Sequence, residues 1–204
     1  MNRLTQQKNK GFTLLETLIA IAILGVSLGA AFGVAQKALK ASAVAKDQTT
    51  AFFLASEGLE LVREVRDNVA IYNNLPTTSI QIDWLKPFHD RCNDFTVCVY
   101  DIDPASAGLT ITSGNLTTPT SISNCNGTSC VLNISNTPTF YTSGSAGGGG
   151  ASRFSRAIQI SESKMNDVNG VSEKEAVVTV TVSWSNQTFI LTETLRNWNQ
   201  ISPN

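Results

Sequence analysis

Residues 10–35 read KGFTLLETLIAIAILGVSLGAAFGVA. From Thr17 to Ala35 there are 19 consecutive residues without a charge. At 1.5 Å per residue they make a helix of roughly 28 Å, about one hydrocarbon core. Arg3, Lys8 and Lys10 precede the segment. The positive-inside rule therefore places the N-terminus in the cytoplasm and the rest of the chain outside, although Lys37 and Lys40 weaken the asymmetry. Glu16 does not fit: a carboxylate at mid-bilayer costs about 2 to 3 kcal/mol, and less near the interface.

Three readings compete for this segment. A secretory signal peptide would be cut after its apolar region, and Gly33-Val34-Ala35 offers small residues for that, but signal apolar regions run to about 7 to 15 residues. A plain membrane anchor explains the length and the basic flanks and leaves Glu16 without a use. In the third reading the chain is cut before the apolar segment, between Gly11 and Phe12.

The stretch KGFTLLE, a short basic leader ending in Gly, then Phe, then Glu as the fifth residue of the mature chain, resembles the processing site of type IV prepilins and secretion pseudopilins. The resemblance implies that a prepilin peptidase cleaves between Gly11 and Phe12 and methylates the new amine of Phe12. It also implies that Glu16 is the carboxylate used in filament assembly. The implied partners are that peptidase, other pilin subunits, an inner-membrane assembly platform and, before assembly, the membrane itself. The implied locations are the inner membrane first and an extracellular filament or periplasmic pseudopilus afterwards. The match is specific over 8–35, suggestive to 68 and weak beyond.

The motif has a physical logic. Cleavage after Gly11 creates an α-amino group with a reference pKa of about 7.7 to 8.0, largely protonated at neutral pH. At the membrane edge this amine and the Glu16 carboxylate attract strongly and otherwise lack partners. Within one helix Phe12 and Glu16 stand at i, i+4. In a filament, by the same resemblance, the amine of one subunit meets Glu16 of a neighbour.

Length and composition set the wider bounds. The chain has 204 residues, 42% of them hydrophobic, and a formal net charge of -1. That suits one globular domain beside a long helix and gives no sign of a basic surface for nucleic acid. The leader would remove three basic residues, leaving 12 basic against 16 acidic, a mature charge of -4.

The helix is expected to continue past the membrane. From 36 to 68 there is no Pro, and Val44, Ala51 or Phe52, Ala55, Leu59, Val62, Val65 and Val69 recur at spacings of three and four. Residues 12–68 would form a helix of roughly 85 Å. A second stripe of Leu54, Gly58, Leu61 and Val65 means either a thick face on its own domain or a partly filament-facing surface. Glu57, Glu60, Arg63, Glu64, Arg66 and Asp67 read as a solvated face, with salt bridges between subunits as the competing reading. Gly25 and Gly29 stand four apart and suit close helix packing, though Gly is also common in membrane helices.

Beyond the helix the signals turn to strands. FTVCVYDID, 95–103, alternates. RFSRAIQIS places Phe154, Ile158 and Ile160 on one side, AVVTVTVSW alternates Val178, Val180, Val182 and Trp184, and TFILTETLRNW returns after Ser185-Asn186. Three successive strands predict an antiparallel meander with its apolar face on the helix. The expected fold class is α+β: a long N-terminal helix, membrane-spanning in its first half, packed on a C-terminal antiparallel β-sheet, which is also what the pilin resemblance implies. The expected parts are a leader at 1–11, a transmembrane half-helix at 12–35, an amphipathic half at 36–70 and a β-rich head at 71–204.

Cys92, Cys98, Cys125 and Cys130 lack zinc-site spacings, and His89 is the only histidine. An even number in an exported domain favours two disulfides, with three connectivities open. The turn dipeptide Asn126-Gly127 favours the local pairs 92 with 98 and 125 with 130. Asp90, Asp94, Asp101 and Asp103 could hold calcium, but no EF-hand-like loop surrounds them and loop solvation competes.

No catalytic constellation, metal site or cofactor motif is evident, so a non-enzyme is expected. The leading reading is a pilin-like structural subunit, minor in its filament. The alternatives are a type II secretion pseudopilin and a membrane-tethered adhesin or binding domain displayed outside the cell.

Overall fold

One helix, α1 at Leu14–Asn73, opens the fold and supplies one wall of its core. The computed structural model describes residues 11–75, 82–89, 91–93, 95–100, 110–112, 115–117, 122–125, 130–135, 140–143, 150–166 and 172–197. Contacts divide the chain into a unit that ends at Asp47 and one that begins at Gln48. In the first unit α1 buries nothing, and its apolar stretch is long enough to cross a membrane.

In the second unit the remainder of α1 is amphipathic in the expected way. Ala51, Leu54, Ala55, Gly58, Leu59, Leu61, Val62, Val65, Val69 and Ala70 are buried, so both apolar stripes lie against the protein's own sheet. Of the alternatives Ala51 and Phe52 it is Ala51 that faces inward, Phe52 being 46% exposed; Val44, in the first unit, departs from the expected stripe at 42% exposed. At the helix end, Asn73 grips Ile82 through two hydrogen bonds, donating Nδ2–H to its carbonyl (2.8 Å) and accepting its N–H (2.9 Å). That grip leads into a turn segment carrying the buried Trp84, Leu85 and Phe88.

The strands are β1 (Cys98–Val99), β2 (Thr110–Thr112), β3 (Asn115–Thr117), β4 (Ser123–Asn124), β5 (Val131–Ile134), β6 (Tyr141–Thr142), β7 (Ala151–Asn166), β8 (Ser172–Trp184) and β9 (Gln187–Arg196). β7 is the hub. It pairs antiparallel with β8 from Ser155 to Asn166, with β5 at Ala151 and Ser155, and with β1 at Ile158. β9 pairs with β8, β6 with β5 and β4 with β1, all antiparallel, while β2 and β3 form a separate hairpin. The expected meander is thus β7-β8-β9. Over 95–103 the strand is shorter than expected, only Cys98–Val99, and 101–103 fall outside the described residues.

Period-two alternation explains why this sheet has an inner face. Phe154, Arg156, Ile158 and Ile160 on β7 and Ala176, Val178, Val180, Val182 and Trp184 on β8 are all buried against α1, with partly exposed residues between them. β8 returns into β9 through Ser185 and Asn186, both at positive φ (41° and 65°). With Trp184 paired to Gln187, this is a two-residue hairpin turn of the type that matches strand twist.

Candidate processing and assembly site

Helix α1 begins where its sequence provides a cap. Thr13 precedes the first helical residue and its hydroxyl accepts the Glu16 N–H at 3.3 Å. The Thr13 carbonyl accepts the N–H groups of Glu16 (3.1 Å) and Thr17 (3.2 Å). Thr13-Leu14-Leu15-Glu16 is therefore a T-x-x-E capping sequence with Glu16 in the first turn, where the helix dipole favours a negative charge. The capping signal is present in the sequence itself. Glu16 thus has a local use as well as any use in assembly: a carboxylate there favours the helix start and still presents its oxygens outward.

Gly11 and Phe12 lie ahead of the helix and both are exposed, Phe12 by 80%. The peptide bond between them is non-helical and open to an enzyme. A Cβ added to Gly11 would meet nothing within 4 Å, and the same holds at Gly25, Gly29 and Gly33. None of these four glycines is required by packing within the described fold. Beyond Glu16, the outward side chains of Leu18, Ile19, Ile21, Ile23 and Leu24 are all more than half exposed. A surface of this kind is stable only in lipid or against other apolar helices.

The cysteines form two disulfides, Cys92–Cys98 and Cys125–Cys130, each with Cα atoms 5.0 Å apart. His89, beside the first bridge, lies between the carboxylates of Asp83 (3.9 Å) and Glu162 (3.6 Å). Of the calcium candidates, Asp90, Asp94, Asp101 and Asp103 all fall outside the described residues.

The charged positions on α1 depart only in part from the expected solvated face: Glu60 and Glu64 are exposed, while others bond across the fold. Glu57 is bonded to Arg156 on β7 (2.9 Å), Arg63 bridges Glu60 and Glu193 on β9, and Arg66 pairs with Asp67 (2.8 Å). The contact with Glu193 raises the Arg63 pKa above its usual value, outweighing the opposing effect of burial. Two of these residues, Glu57 and Arg63, thus tie the helix to its own sheet. Arg156 was the residue sequence reasoning missed. Its parity with Phe154, Ile158 and Ile160 put it on the inner face, and a charge at an inward position is the signal that would have found it.

Residues 6–32 match the family model described as the prokaryotic N-terminal methylation motif, which is characteristic of the prepilin-type signals of type IV pilins and pseudopilins. No curated protein and no solved structure matches the chain.

Proposed function

We propose that this chain is a pilin-like structural subunit that is cut between Gly11 and Phe12, methylated on the new Phe12 amine and assembled through α1 into a type IV pilus or related filament. The observation that carries the reading is the methylation motif over 6–32, set on a helix whose residues up to Lys46 are all exposed. Such a helix needs a bilayer before assembly and neighbouring helices after it. Prepilin peptidase, sibling pilins and the inner-membrane platform are the partners this role requires. A minor rather than a major place in the filament rests on the resemblance of residues 51–68, AFFLASEGLELVREVRDN, to the corresponding helix of minor pilin-like proteins.

Glu16 is the group that commits the subunit. Held in the first turn of α1, its carboxylate faces outward to receive the Phe12 amine of a neighbour. Loss of one partner from a desolvated pair costs about 3 to 5 kcal/mol, enough to keep a subunit in the membrane. Intact-mass analysis of the chain from its host tests the processing: the expected N-terminus is a methylated Phe12, and a chain starting elsewhere overturns the reading. Incorporation tests the assembly role: Glu16→Ala is expected to be processed but absent from sheared filaments, and its normal incorporation would remove Glu16 from the mechanism.

A further inference from the structure

Two stretches of α1 carry the same spacing with complementary chemistry. Gly33, Lys37, Lys40 and Val44 follow one another at steps of four, three and four, and all are exposed. Phe53, Glu57, Glu60 and Glu64 follow at the same steps. The second set lies on the solvent-facing flank of the helix, with Glu57 at the rim of the helix–sheet contact. Phe53 is 65% exposed, the side chains of Glu57 and Glu60 are 42% and 62% exposed, and Glu64 is exposed. Alternating steps of four and three are those of a seam between parallel helices, where residues of equal rank face each other.

We propose that these two seams dock on each other between two copies of the chain, with parallel helices offset by twenty residues, about 30 Å along the axis. The inference rests on the filament reading above. At that offset Lys37 faces Glu57 and Lys40 faces Glu60. Phe53 enters the gap over Gly33, where a Cβ would meet nothing within 4 Å in the isolated chain. The Glu64 carboxylate lies beside Val44, one turn beyond Lys40, within reach of a lysine side chain.

Both acidic partners already make one contact, Glu57 with Arg156 and Glu60 with Arg63. A carboxylate has acceptor sites to spare for a second cation. Neither Lys37 nor Lys40 has an ion-pair partner among the described residues. The occupant is a second copy of this chain because the two surfaces fit in charge, size and spacing, and because an offset of this kind is heterologous: each copy offers one seam upward and the other downward, so the contact needs only two adjacent copies and no filament built of this chain alone.

The test uses full-length chains in the host that assembles them. Two differently tagged copies, one Lys40→Cys and one Glu60→Cys, are expressed together, and sheared filaments are run without reductant. A disulfide-linked dimer bearing both tags is expected, and it should drop at least about tenfold when Ile71→Cys replaces Glu60→Cys, since that position sits far from Lys40 at this offset. In parallel, Lys40→Glu is expected to lower incorporation by about tenfold and Lys40→Glu/Glu60→Lys to restore it to within about twofold. Filaments that form without the two-tag dimer, or with equal dimer at Ile71, overturn this inference and leave the filament reading standing. Failure of the unaltered chain to enter any filament overturns both.

Discussion

Arg156 reaches from the middle of β7 to Glu57 on α1, Nη1 to Oε2 at 2.9 Å, and the same nitrogen donates to the Leu54 carbonyl at 3.2 Å. Its second terminal nitrogen donates to the Tyr100 carbonyl at 3.0 Å. The arginine is fully buried while Glu57 is partly exposed, so the pair is a buried charge whose counter-ion sits at the rim of the helix–sheet contact.

Removing the counter-ion leaves that charge poorly compensated. For fully buried pairs the cost is about 3 to 5 kcal/mol, and solvent access at Glu57 reduces it to roughly 1 to 3 kcal/mol. Glu57→Gln is expected to lower the urea midpoint of the detergent-solubilised full chain, read by fluorescence of the buried Trp84 and Trp184. In an Arg156→Met background the same change should cost much less. Equal costs in the two backgrounds would show that the pair is not coupled.

Gly58 shows what a required glycine looks like. A Cβ there would lie 3.0 Å from Val180 Cγ1 and 3.1 Å from Arg156 Cδ, both on residues with no exposed surface. Gly58→Val is expected to destabilise the second unit by about 1 to 3 kcal/mol, because overpacking outweighs the gain over glycine in helix propensity. Gly25→Ala, with open space around it, should leave the same unfolding transition unmoved. A Gly58→Val chain of unchanged midpoint would mean that the helix can lift from the sheet without loss.

Tyr100 provides a pH signature for the same contact. Burial first, and then the nearby negative charge of Glu64, push its phenol up to about 12 from 10.0. The folded state then holds the proton more tightly than the unfolded chain. Its contribution to stability is complete below pH 10 and is lost as pH rises from about 10 to about 12. Ultraviolet titration of phenolate formation should show a group near 12 that disappears in Tyr100→Phe, and that variant should lose less stability across this window. An unchanged high-pH titration in Tyr100→Phe would assign the late group elsewhere.

What was legible in the sequence followed from periodicity. The apolar run, the three- and four-residue spacing of 51–69 and the alternation of 154–160 and 178–184 each reflect one element meeting one face, so element type and the meander could be read directly. The solvated reading of Glu57 and Arg63 failed because their partners, Arg156 and Glu193, lie 99 and 130 residues away, and helix spacing reports only near neighbours. The same limit hid the role of β7 as hub, since its pairings with β1 and β5 come from short segments with little pattern of their own. At the N-terminus the reverse holds: the T-x-x-E capping sequence is local and readable, although a charge at Glu16 in an apolar segment points as well to the membrane and to a partner.

The two disulfides differ in what they hold. Cys92 and Cys98 are fully buried in the main core, and the Cys92 carbonyl accepts the Ile160 N–H of β7 at 2.7 Å. Cys125 and Cys130 belong to a small separate cluster with Val99, beside the β1-β4 ladder. By loop entropy alone each bridge is worth about 2 kcal/mol, since both close short loops. The core bridge should cost more to lose because the chain it tethers also completes the edge of β7. Hydrogen exchange of the full chain is expected to show faster exchange of the Ile160 amide in Cys92→Ala/Cys98→Ala, while Cys125→Ala/Cys130→Ala speeds exchange near Val99 and leaves Ile160 protected. Equal loss of protection at Ile160 in both variants would mean that the small cluster and the main core unfold as one unit.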